Sequence, residues 1–312
     1  MNIKVAISQK PPKLLDLDGT IDLCVEIIAE AAQEGAKLIV FPECFLPGYP
    51  TWIWRLRPGG DMGVGNEIHA LLRENAVDVG RGGLGRIQDT AAEHDMVVVV
   101  GMSEIDSAYS GSTLFNSVAI IDANGELLNV HRKLMPTNPE RMVWGAGDAN
   151  GLRVVDTAVG RVGSLICWES YMPLARYALF SQDIDIYVAP TWDNGDIAAA
   201  TASHIAREGG CWVLQTATAL KGSDVPADLP GRENLFTDDE WINAGDALVA
   251  KPGGGIIAGP MHQQQDILYA DIDPEAAKKS RKALDVSGHY GRHDLFSLEI
   301  DRTRKVPVTF KD

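Results

Sequence analysis

Residues 3–41 read IKVAISQKPPKLLDLDGTIDLCVEIIAEAAQEGAKLIVF, and this stretch decides the fold. Ile3 to Ser8 is a short apolar run of strand length. From Ile21 to Gln33 the period changes: Ile21, Val25, Ile28 and Ala32 recur at helical spacing. Gly35 is placed to stop that helix. Lys37-Leu-Ile-Val-Phe41 is then a second buried strand, ended by Pro42. A strand, a helix and a strand in succession form a βαβ unit, and such units build a sheet with helices packed on it.

Working outward, the same alternation continues. Leu84–Asp95 predicts a helix and Met96–Val100 a strand. Leu114–Asp122 and Glu126–His131 flank Ala123-Asn124-Gly125, and Asn-Gly between apolar runs is a strong hairpin signal. Leu152–Asp156 and Val162–Ile166 form a second pair around Val159-Gly160-Arg161. Helices are expected over Pro173–Ser181, Ile197–Gly209 and Pro274–Ala283. Strands are expected over Asp185–Ala189, Cys211–Thr216, Ala247–Ala250, Ile256–Ala258 and Ile267–Asp271. Lys221–Asn243 is polar and reads as a loop. The pattern suggests two stacked sheets with helices outside, within one domain spanning 1–312.

Composition closes several doors. The chain has 312 residues, 28 Lys+Arg against 43 Asp+Glu, and a formal charge of −15. Such an acidic balance argues against nucleic acid and anionic membranes as partners. The apolar run Met96–Met102 is far shorter than the roughly 20 residues of a membrane span. The N-terminus lacks the pattern of a signal peptide. Cys24, Cys44, Cys167 and Cys211 form no CxxC pair, so a zinc or redox motif has little support. Free thiols fit a reducing, cytoplasmic compartment. His289 and His293 are four apart, but Gly288 and Gly291 argue against the helix that a metal pair would need. Gly253–Gly255 and Gly63/Gly65 lack the rest of a phosphate loop and read as turns.

Three segments place a reactive side chain at the end of an apolar strand. Glu43 lies in Phe41-Pro-Glu-Cys-Phe-Leu-Pro-Gly-Tyr-Pro50, amid apolar residues that would desolvate it and make it a better base. Lys133 lies in His131-Arg-Lys-Leu-Met-Pro-Thr137. Cys167 lies in Val162-Gly-Ser-Leu-Ile-Cys-Trp-Glu-Ser-Tyr171, where a strand turns sharply toward a helix. Such an elbow projects a nucleophile into a cleft, with backbone N–H groups behind it. Each segment has a plainer reading: a salt-bridged carboxylate, a solvated basic run, and a cysteine buried as a small hydrophobe. Together they supply a thiol nucleophile, a carboxylate base and a cation. A thiol near Glu and Lys can be held as thiolate.

FPECFLPGYP, HRKLMPTNPERMVWGAGD and GSLICWESYMPLARYAL resemble the three signature blocks of the nitrilase superfamily, and more narrowly its true nitrilase branch. Ala189-Pro-Thr-Trp-Asp193 and Asp285-Val-Ser-Gly-His-Tyr-Gly-Arg-His-Asp-Leu-Phe296 extend the resemblance, which runs from residue 1 to about 300. It implies a four-layer α-β-β-α sandwich. It also implies a Glu43–Lys133–Cys167 triad, a supporting Glu140, and hydrolysis of an organic nitrile through a thioimidate with no metal or organic cofactor.

Tyr49, Trp168 and Trp192 lie beside these motifs and are candidates to line an apolar pocket. Trp52 and Trp54 are expected at a wall or an interface rather than in the pocket. The resemblance further implies dimers that extend into spirals, with 285–312 taking part in assembly. The end at Asp312 leads us to expect no long filament-stabilising tail. An amidase or carbamoylase with the same triad, a cyanide-degrading hydrolase and a scaffold without activity remain as alternatives. The third would have lost a member of the triad.

Overall fold

The computed structural model describes residues 2–109, 111–304, 306–309 and 311. β1 (Ile3–Ser8), α1 (Leu17–Gln33) and β2 (Ala36–Val40) form the expected βαβ unit. α1 starts a turn earlier than its apolar spacing, because the Asp16 carboxylate caps it by accepting from Gly19 N–H. Its inward face is rotated toward Cys24, Ile27, Ile28 and Ala31, leaving Val25 and Ala32 half-buried.

α2 (Met62–Glu74), α3 (Gly85–Glu93), β3 (Val97–Ile105), β4 (Leu114–Ile121) and β5 (Leu127–Arg132) follow. α2 corrects the reading of Gly63 and Gly65 as turn residues: both lie in its first turn, where Ile68 and Leu72 anchor the helix against the core. The next elements are β6 (Val154–Thr157), β7 (Gly160–Ser164), α4 (Pro173–Phe180), β8 (Ile186–Pro190), α5 (Gly195–Glu208) and β9 (Trp212–Thr216). The expected loop at 221–243 is only partly a loop. β10 (Ala219–Lys221) enters it, α6 (Arg232–Leu235) lies in it, and β11 (Trp241–Ala250) starts six residues early. β12 (Ile256–His262), β13 (Ile267–Ile272) and α7 (Glu275–Arg281) complete the order. Among the described residues no helix is long and apolar enough to cross a membrane.

One sheet runs β13-β1-β2-β3-β4-β5 and the other β10-β11-β9-β8-β7-β6, with β12 also on β11. β1, β2 and β3 are mutually parallel, as are β7, β8 and β9, and the flanking strands are antiparallel.

Burial on both faces fixes the four layers. Along β3, Val97 and Val99 face the second sheet and pack with Val5, Leu38, Val162, Ile186 and Leu214. Val98 and Val100 point the other way, into α1 and α3, against Ile28 and Ile87. Tyr187 and Val213 of the second sheet similarly meet Leu179 of α4 and Ile205 of α5. Strands buried on both sides lose the apolar/polar alternation, which is why they read as unbroken runs. Each such side chain contributes about 1.5–3 kcal/mol on burial.

Candidate active site

The candidate side chains come from the C-terminal ends of strands, where an α/β sheet opens into loops. Glu43 stands three residues past β2, Lys133 one past β5 and Cys167 three past β7. Cys44, Asn138 and Cys167 have φ of 49°, 44° and 55°, a left-handed conformation that costs a side-chain-bearing residue energy. Each of the three site-forming loops thus contains one strained residue. The loop carrying Glu43 passes so close over β3 that a Cβ on Gly101 would lie 2.2 Å from Pro42 O and 2.7 Å from Cys44 N.

The sequence-predicted site residues meet in space. Lys133 Nζ donates to Glu43 Oε1 and to Glu140 Oε2, each at 2.7 Å. Asn116 Nδ2, from β4, also donates to Glu43 Oε1 at 2.7 Å. Glu43 Oε2 is buried and has no partner. Glu140 also accepts from Thr137 N–H and from Tyr49 Oη, both at 2.7 Å. One oxygen of each carboxylate and Cys167 Sγ lie within 4.8 Å of one another. That acid-and-thiol cluster has the donor types of a metal site, and the Lys133 ammonium sits between its carboxylates as their counter-ion.

Electrostatics assigns the protons. Burial pushes the Glu43 carboxyl up, Lys133 pulls it down and Glu140 pushes it up again; it reaches about 7. Burial opposes the charge on Lys133, but Cys167, Glu43 and Glu140 outweigh it and hold the amine well above its usual range. Burial, then the charge on Glu43, pushes the Cys167 thiol up to about 12, against the pull of Lys133. Burial and the two acids thus push the thiol up, and the single cation of Lys133 pulls against them.

The basic run 131–133 is not a solvated surface. All three residues are buried, and each has its own carboxylates. Arg132 is held by Glu104 and Asp106 and lies 4.1 Å over the Phe115 ring. His131 Nε2 lies 3.0 Å from Glu169 Oε2. Glu169 accepts from Leu134 N–H and Ile166 N–H at 2.7 Å each. One buried carboxylate thus ties the residue after Lys133 to the residue before Cys167.

A cavity of about 200 Å³ opens onto Cys167 and Glu140. Tyr49, Trp168 and Trp192 line it, as the sequence suggested. Trp192 stacks on Tyr49 with centroids 4.2 Å apart and planes 5° apart. Trp54, expected at a wall or an interface rather than in the pocket, lines the cavity and donates from Nε1 to Tyr49 Oη at 3.1 Å. Trp52 is buried behind it. Asp193 and Asn116 were missed. The sequence signal for Asn116 is an Asn-Ser pair inside an otherwise apolar strand; Asp193 follows Trp192 in a segment already singled out. His289 and His293 lie outside any helix, and His293 Nε2 lies 3.0 Å from Ser287 O.

With this fold and site in view, the comparisons give the class. Residues 4–282 match the family model for carbon-nitrogen hydrolases, and the chain belongs to that family. Its relatives narrow the field to nitrilases. It is 37% identical over 308 residues to an aliphatic nitrilase of Sinorhizobium fredii, covering 98% of this chain and 97% of that one. It is 35% identical over 313 residues to the bifunctional nitrilase/nitrile hydratase NIT4B of Nicotiana tabacum, covering 99% and 88%. Among solved structures, Saccharomyces cerevisiae Nit3, a member of branch 10 of the nitrilase superfamily, has the same fold. Its TM-score is 0.68 at 20% identity, over 93% of this chain and 96% of that one.

Proposed function

We propose that the chain is a nitrilase that converts R–C≡N and two waters to R–COOH and ammonia. Cys167 is the nucleophile, Glu43 the base, Lys133 the electrophilic group and Glu140 its support. The observation that carries the reading is the buried Glu43 carboxylate, whose Oε2 has no partner, gathered with Glu140 and Cys167 Sγ within 4.8 Å. Glu43 has one oxygen engaged with Lys133 and Asn116 and the other available for a proton.

The chemistry follows from that arrangement. As Sγ attacks the nitrile carbon, Glu43 takes the thiol proton and one C–N π pair moves onto nitrogen. Lys133, held cationic, stabilises the charge developing there, as does the N–H of Trp168 behind the elbow. Glu43 returns the proton to nitrogen, giving the thioimidate. Water activated by Glu43 then adds to carbon, the C–N bond breaks and ammonia leaves. A second water cleaves the thioester and restores the thiol. If the C–S bond of the first tetrahedral adduct breaks instead, an amide is released. The tobacco relative's name includes nitrile hydratase, so acid and amide should both be measured.

An amidase reading uses the same residues, and the assay separates the two. Ammonia release from aliphatic and aromatic nitriles is expected, with loss of at least about a thousandfold in Cys167→Ala. A mass adduct on Cys167 should accumulate when hydrolysis is slowed. Turnover of amides and of no nitrile would sink the nitrilase reading.

We also propose one domain over 1–312, a reducing compartment, and self-assembly through α4 and the 285–312 segment. Leu174 of α4 and Leu295, Phe296 and Leu298 are exposed together around one groove, an apolar patch of the kind that marks an interface.

A further inference from the structure

The proposed nitrilase reading leaves open which nitriles enter, and the cavity wall speaks to that. Four aromatic rings line it: Tyr49, Trp54, Trp168 and Trp192. Its two charged lining residues, Glu140 and Asp193, are both acids. Behind the wall, Lys133 is shared between Glu43 and Glu140. Three carboxylates therefore surround the site against one ammonium.

Asp193 is fixed at this wall. Tyr171 Oη donates to its Oδ2 at 2.9 Å, and Asn194 N–H donates to its Oδ1 at 3.2 Å. Its own N–H donates to Thr191 Oγ1 at 2.8 Å. Both donors to its carboxylate are neutral, so its charge is oriented without being cancelled. Trp192 precedes it in the chain, and Trp168 stands edge-on to its Tyr171 partner with centroids 5.9 Å apart. Aromatic faces beside a fixed carboxylate attract an ammonium by cation–π and Coulomb forces. A substrate carboxylate would instead lose its water facing two like charges, with no basic side chain in the lining to compensate.

We infer that this cavity selects nitriles carrying a protonated amine and rejects nitriles carrying a carboxylate, with Asp193 reading the charge. The inference rests on the nitrilase reading. The same wall repels the carboxylate product, which favours its release.

Three substrates with one spacer and different ends test this: δ-aminovaleronitrile, hexanenitrile and adipic acid mononitrile. In the wild-type protein kcat/KM should fall in that order, by about tenfold per step. Raising the salt concentration should narrow the spread. Asp193→Asn should lower the ratio of the amine to the neutral substrate by about tenfold, whereas Asp193→Glu should keep the amine preferred. Hexanenitrile turnover with no order among the three overturns the inference while leaving the nitrilase reading standing. So does a preference that Asp193→Asn leaves intact. If Asp193→Asn fails to fold, the wild-type order and its salt dependence decide alone. Hydrolysis of the matching amides with no turnover of any nitrile overturns both readings.

Discussion

In the proposed mechanism Glu43 must be ionised to accept the thiol proton, and burial pushes its carboxyl up to about 7. A raised carboxyl pKa means the protonated, inactive form dominates below 7. Activity should therefore rise tenfold per pH unit on the acid side and level off above about 7. Glu43→Gln should remove that limb and lower kcat/KM by about a hundredfold to ten-thousandfold. A pH–rate profile of the two proteins checks both points, and an acid limb unchanged in the variant would move the base elsewhere. At this scale the proposed reacting groups were legible in sequence, because motif spacing marks residues at strand ends. Asn116 was not, since a strand interior advertises packing rather than chemistry. Nor was the upward push on the Cys167 thiol, which depends on its burial and on how many acids the fold gathers around one lysine.

Among the elements, the βαβ unit and both hairpins could be read because their periodicity and turn chemistry agree with the packing. Gly125, in the first hairpin, has φ +84° and donates its N–H to Asp122 O at 2.9 Å. α2 escaped notice because glycines crowd its first turn, and tertiary burial of Ile68 and Leu72 overrides their low propensity. The first half of β11 was hidden by its polar residues, Asn243 and Asp246, which are buried with hydrogen-bond partners. β3 carries a constraint no periodicity reveals. Gly101→Ala would drive a methyl into the backbone of the Glu43 loop. It should reduce activity by at least about tenfold while costing about 1–3 kcal/mol in chemical denaturation. Wild-type kinetics in that variant would mean the loop has slack.

At the scale of the whole molecule, α4 and the C-terminal segment present exposed apolar side chains around one groove. Phe296 is 72% exposed and Leu295 61%. Sedimentation of the full chain should give a dimer or larger assembly. A Leu295→Glu/Phe296→Glu double variant should shift it toward monomer at the same concentration. A wild-type monomer at micromolar concentration would remove the assembly proposal.

The burial of Cys167 has a consequence for how the protein ages. Peroxide and alkylating agents attack thiolates far faster than thiols. Cys24, Cys44 and Cys211 are buried too, and burial raises each of them. Burial raises Cys167 as well, and the expected outcome is slow loss of activity under peroxide at neutral pH, read as residual activity against time.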